Sequence, residues 1–139
     1  MTINIMTKSI ALSAAAFALA LTPLTAIAAD RYAVIAVVNT TKDATVGMSY
    51  RWGDGKWEQA RLQPGHARHF CYQFPKPNQD TNPPFHIKFD SSIAPGNYIE
   101  SYHLMGFRAP DCDLKYAHKY NFQYEVKGKF VELYDPQKR

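Results

Sequence analysis

Apolar and polar residues alternate with a period of two along most of this chain, starting at residue 31. Arg31 to Asn39, RYAVIAVVN, is apolar on both faces, as a strand covered from both sides would be, and is expected at the centre of a sheet. Val46, Met48, Tyr50 and Trp52 then alternate with polar residues up to Gly53-Asp54-Gly55, and a second run carries Trp57 to Leu62 before Pro64-Gly65. Asp-Gly between alternating runs signals a β-hairpin, because its turn positions must tolerate positive φ. His66 to Phe74, Phe85 to Asp90, Tyr98 to Met105, Lys115 to Val126 and Phe130 to Tyr134 supply five more strands. Turn chemistry separates them: Asn39 to Asp43, Ser91 to Asn97, Gly106 to Asp113 and Lys127-Gly128. Pro75 to Pro84, PKPNQDTNPP, holds four prolines and suits neither a helix nor a strand interior. No helical period and no repeat is present. Seven or eight strands in this order predict an all-β protein, an antiparallel β-sandwich of immunoglobulin-like or jelly-roll-like type.

Polarity chooses the register of the hairpin. A two-residue loop would set Trp52 opposite Trp57 and Arg61 opposite Met48. A three-residue loop with Gly55 as a left-handed bulge residue pairs Val46 with Leu62, Met48 with Ala60 and Arg51 with Trp57. A slip of one residue exchanges the two faces of a strand. The second register keeps one face apolar, so it is the expected one. It puts Trp52 in the core and sends Trp57 outward, covered by Arg51.

Before the first strand, Lys8 and the apolar run from Ile10 to Leu21 precede Ala26-Ile27-Ala28, a small-x-small cleavage pattern. Residues 1–28 are therefore expected to be a signal peptide and 29–139 a single mature domain. The apolar run falls short of the ~20 residues that span a bilayer, so no transmembrane segment is expected. The destination is the periplasm or the exterior. The whole chain carries a formal charge of +4, without a polybasic run, which argues against nucleic-acid binding.

Export changes the reading of the two cysteines, Cys71 and Cys112. An even pair in an exported chain is expected to form a disulfide. Closing that loop would stabilise the fold by roughly 4 kcal/mol through restriction of the unfolded chain. A redox or metal thiol pair is the alternative, although no C-x-x-C is present.

Asn39-x-Thr41, Tyr50-Arg51-Trp52-Gly53-x-Gly55-x-Trp57 and Leu62-x-Pro64-Gly65 together resemble a pattern of small exported bacterial sandwich domains without assigned activity. The resemblance implies fold and export, and it carries no catalytic residue. Asn39-x-Thr41 also matches a glycosylation sequon, given little weight in a chain with a bacterial type of leader.

Candidate chemistry is sparse. His66 and His69 are three apart, so on a strand they face opposite sides and cannot chelate together. A composite metal site from His69, His86 or His103 is the alternative. Asp111 and Asp113 flank Cys112 but fall short of the six to eight oxygens of a calcium site. No serine stands in a nucleophile elbow. No catalytic residue, cofactor or resident metal is expected. The surplus is aromatic, with 9 Tyr, 8 Phe and 2 Trp in the whole chain. Most of these suit a strand core, and an outward subset could form a contact surface. The expected ligand-binding residues are Trp57, Arg51, Tyr102 and Tyr116. The expected function is an exported, non-enzymatic binding module for a protein or glycan. A histidine-based metal or hydrolytic protein, or an envelope inhibitor or toxin-like protein, are the competing readings.

Overall fold

The computed structural model describes residues 28–79, 81–92 and 98–138. The leader expected at residues 1–28 lies, but for Ala28, outside them. Among the described residues, nine strands form two packed sheets: β1 (Tyr32–Asn39), β2 (Val46–Trp52), β3 (Glu58–Leu62), β4 (Ala67–Gln73), β5 (Phe85–Asp90), β6 (Ile99–Leu104), β7 (Phe107–Ala109), β8 (His118–Tyr124) and β9 (Val131–Tyr134). One sheet has the order β3-β2-β5-β6. The other runs β4-β1-β8-β9, with β7 also paired to β1. The fold is the expected all-β sandwich.

Its core lies between the sheets, where alternation delivers Met48, Tyr50, Phe70, Phe85, Ile87, Phe89, Tyr120 and Phe122 from both inner faces. Trp52 packs at the rim of this core, edge-on to Phe85 with ring centroids 5.0 Å apart. No helix among the described residues is long and apolar enough to cross a membrane.

β1 is central, as its doubly apolar sequence requires. Ile35 and Val37 enter the core, while Val34 and Ala36 on the opposite face pack with Ala109 and Ala117 and against Tyr116 and Cys71. Every one of these four β1 residues is fully buried. One edge of β1 is occupied throughout by β4. The other is divided: β7 takes Tyr32 to Val34 in antiparallel sense, and β8 takes Ile35 to Asn39 in parallel sense.

That division corrects two expectations. The segment from Gly106 to Asp113 is not all loop, since three of its residues form β7. The sandwich is also not purely antiparallel. Between β7 and β8 the chain turns back across the outer face of β1 and re-enters along the same edge, so β8 runs parallel to β1. A single 3-10 turn, Leu114–Tyr116, lies within this crossing. Strand β8 therefore starts at His118 rather than Lys115. Gly106 permits the close approach of β7, because a Cβ there would lie 3.0 Å from the backbone nitrogen of Val34.

Cys71 on β4 is bonded to Cys112, with Cα atoms 5.8 Å apart. The bond ties the crossing segment to the sheet that it covers. Its pairing is as the sequence predicts.

The hairpin has the expected register, with Val46 opposite Leu62, Met48 opposite Ala60 and Tyr50 opposite Glu58. Its turn is built differently. Gly53, at φ 51°, supplies the left-handed residue, and Gly55 does not. The Gly55 N–H donates to Trp52 O at 2.9 Å, closing a turn whose first central position is the glycine.

Asn39, the end of β1, is fully buried and joins three segments. Its side-chain amide donates to Ala44 O (2.7 Å) and Leu62 O (2.8 Å), and its Oδ1 accepts from the Thr41 N–H (3.0 Å) and hydroxyl (2.6 Å). The sequon is therefore a structural knot, with no amide group left for a glycan.

Candidate functional site

Strand pairing fixes what the outer face of the β3-β2-β5-β6 sheet presents. Because Met48, Tyr50, Phe85, Ile87 and Phe89 point inward, their immediate neighbours point outward. The paired registers align them in three cross-strand rows. Trp57, Arg51, His86 and His103 form one, with Trp57 one step beyond the last paired residues of the hairpin. Gln59, Ser49, Lys88 and Ser101 form the second. Arg61, Gly47, Asp90 and Ile99 form the third.

The first two rows close on Trp57. The Arg51 guanidinium carbon lies 4.7 Å from the indole centroid and the Lys88 Nζ 4.4 Å, both within cation–π range. His86 and His103 meet edge to face at 4.4 Å, with Trp57 6.4 Å from His86. These side chains border a cleft of about 230 Å³, with Ser101 and Tyr102 on its far side. Burial and then the positive charges of His103, Arg51 and Lys88 hold His86 below the usual imidazole range, with Asp54 opposing them. Arg51 Nε is out of solvent and has no hydrogen-bond partner among the described residues.

With two cations against its ring, Trp57 is less a bare stacking surface than a support for positive charge. Lys88 also borders a second, broader depression of about 680 Å³, floored at Gly47 and flanked by Ser49, Gln59 and Arg61. Among the described residues, no atom lies within 4 Å of the place a Gly47 Cβ would take, apart from its chain neighbours.

Of the four ligand-binding residues expected from the sequence, the structure brings Trp57 and Arg51 into contact. Tyr102 touches the cleft from behind. Its ring stacks on Phe89 at 5.8 Å on the core side, and burial, followed by the charges of Glu100 and Glu132, raises its hydroxyl pKa. Tyr116 stands apart: it packs on Val34 and Ala36, on the outer face of the other sheet, because the 3-10 turn removes it from the strand it was expected to join. Lys88 is missed by the sequence, which brings His86 and His103 forward only for a composite metal site with His69. The pairing of β2 with β5, more than thirty residues away, has no local signature.

His86 and His103 meet on this face, but His69 does not join them. His69 lies on β4 in the other sheet, beside the disulfide. Among the described residues the one group with three potential ligand atoms is His69, Cys71 and Cys112, and both sulfurs are in the bond. Asp113 caps the 3-10 turn through the Lys115 N–H at 3.0 Å.

His118 pairs with Asp135 at 2.8 Å, stacks on Phe107 at 4.2 Å, and has Nδ1 3.4 Å from the Tyr120 hydroxyl. That hydroxyl donates to Met105 O at 3.3 Å. The array resembles an acid–base chain in composition, but each group is held by another, and it fastens the residues after β9 to the start of β8.

No family model matches the chain, and no curated protein or solved structure matches it.

Proposed function

We propose that this protein is an exported, non-enzymatic binding module whose ligand seat is the outer face of the β3-β2-β5-β6 sheet, centred on Arg51 and Trp57. The observation that carries the reading is the buried, unpartnered Nε of Arg51 beneath an indole that also bears Lys88. A buried donor nitrogen without a partner costs about 1–3 kcal/mol, against a net gain of about 1 kcal/mol for an ordinary hydrogen bond, the Arg51 side chain as a whole being half-buried. An apolar side chain of similar length would avoid that cost on a face where stability alone was at stake. Retention of the guanidinium there favours a ligand that completes its bonding. Export rests on the leader-like sequence at residues 1–28, and the Cys71–Cys112 bond suits an oxidising compartment.

The test is retention of glycan and envelope-protein fractions on immobilised protein, comparing the wild type with Trp57→Ala and Arg51→Gln. The expected result is capture by the wild type, loss of capture in both variants, and no substrate turnover by any of them. Capture that is equal in all three would remove the seat from this face. Turnover of a substrate would remove the non-enzymatic reading. Zinc or copper retained at close to one equivalent after mild purification would favour the histidine-based alternative instead.

A further inference from the structure

We infer that the ligand of this face is an acidic polysaccharide, lying across the sheet from the cleft beside Arg51 to the floor at Gly47. The inference rests on the binding-module reading and gives its ligand a chemical class.

Charge comes first. Arg51, Lys88 and Arg61 all point outward from this sheet. The two ion pairs among the described residues, Arg108 with Asp30 and His118 with Asp135, involve none of them. Of the nearby acids, Asp90 lines the broader depression and keeps its negative charge while accepting the Ser92 N–H at 3.0 Å, so it offsets one cation, and Asp54 sits on the exposed hairpin turn. Three cations, one in each row, exceed the acids beside them and set up a positive potential that an anion relieves. After burial and His103, two of these charges, Arg51 and Lys88, contribute to holding His86 below its usual range.

Preorganisation comes second. Long basic side chains ordinarily lose rotamer freedom when they bind, but two of these heads are already held against Trp57. Fixed cations discriminate in favour of anions at fixed spacing. Arg61 and Lys88 stand on strands two apart, roughly 10 Å at the usual inter-strand distance. Lys88 borders both depressions, so the two are neighbours on the sheet.

Shape and polarity select the glycan over other polyanions. The floor at Gly47 is bare backbone with no atom of the described residues within 4 Å of its Cβ position, apart from its chain neighbours, and Ser49, Gln59 and Ser101 offer hydroxyl and amide groups to sugar hydroxyls. A bound peptide would call for apolar pockets between the rows, and a lipid surface for a band of exposed apolar side chains. This face offers Trp57, already occupied by cations, and Ile99 at its edge.

The experiment is calorimetric titration of the disulfide-bonded protein with three probes: a galacturonic acid hexamer, its fully methyl-esterified counterpart, and an aspartate hexapeptide. The acidic hexamer is expected to bind, to weaken as salt rises through the screening range, and to exceed both other probes. Arg51→Gln or Lys88→Gln should weaken it by about tenfold, the scale of one charge-assisted hydrogen bond. Arg61→Gln, at an exposed position, should weaken it by about threefold. Unchanged melting curves for Lys88→Gln and Arg61→Gln keep the comparison free of unfolding. Equal binding of the acid and its ester overturns the acidic-ligand inference and leaves the binding seat standing. Tighter binding of the aspartate peptide overturns the glycan class. No binding of the acidic hexamer, with envelope material still retained through Trp57 and Arg51, overturns this inference alone. Loss of both removes the seat with it.

Discussion

Arg51 and Trp57 each answer a difficulty the other creates. An outward indole leaves a large apolar surface wet, and an arginine pressed beneath it loses water at Nε; stacked together, each covers the other at the cost of one unmade hydrogen bond. Trp57→Ala should therefore cost only about 1 kcal/mol, the sum of modest cation–π contacts partly offset by rehydration of Arg51. Trp52→Ala, at the core rim against Phe85, should cost about 3 kcal/mol, the lower part of the range for truncating a buried large residue. A pair of denaturant melts measures the difference. That these two tryptophans face opposite ways is legible in the sequence, because alternation and the pairing of Val46 with Leu62 leave one choice of face. The second cation on Trp57 is not legible, since Lys88 arrives through a non-local pairing. Asn39 also escapes sequence reading. Its surroundings look like a turn and a sequon, and only the folded chain brings Ala44, Leu62 and Thr41 to its amide.

At the scale of elements, the unusual demand is made by β1, which must be covered on both faces in a sandwich with only two sheets. The second cover is the crossing segment between β7 and β8, where Tyr116 and Ala117, with Ala109 at the end of β7, pack on Val34 and Ala36. The disulfide fastens this cover at Cys112. Cys71→Ser should lower stability by 2–5 kcal/mol, the usual cost for a native bridge in a small secreted domain, as measured by thermal melting. Its first local effect should be exposure of Tyr116 to solvent, read as increased quenching of tyrosine fluorescence. The need for a cover could be read in RYAVIAVVN; its source could not. Three residues are too few for alternation to announce β7, and a parallel return along the same edge has no signature in turn residues. The hairpin shows the opposite balance. Its register follows from polarity alone, while the choice of Gly53 over Gly55 for positive φ depends on local turn closure.

At the scale of the whole molecule, acid should loosen the end of the chain. Burial pushes the Asp135 carboxyl upward, but the Gln137 N–H and His118 outweigh it, so its pKa falls below the usual value. A depressed carboxylate contributes its full stabilisation above the ordinary carboxylate range, around pH 4, and loses it as pH falls through the folded-state value. Asp135→Asn should accordingly be less stable than the wild type at neutral pH, with the gap closing in acid, as followed by melting temperature against pH. The topology also decides how the protein would answer a mechanical load. β8 runs with β1 and β9 runs against β8, so β9 ends heading towards the side of the sheet where β1 begins. A pull on the two ends thus peels hydrogen bonds off one after another instead of shearing a whole strand at once. The sandwich should yield at low force in a single-molecule stretch. Once open, it should stop short, because the 41-residue separation of Cys71 and Cys112 withholds about 140 Å of chain from extension until the bond is reduced. If this module grips an envelope polymer from one side and is tethered by an end from the other, its disulfide acts as a strain limiter.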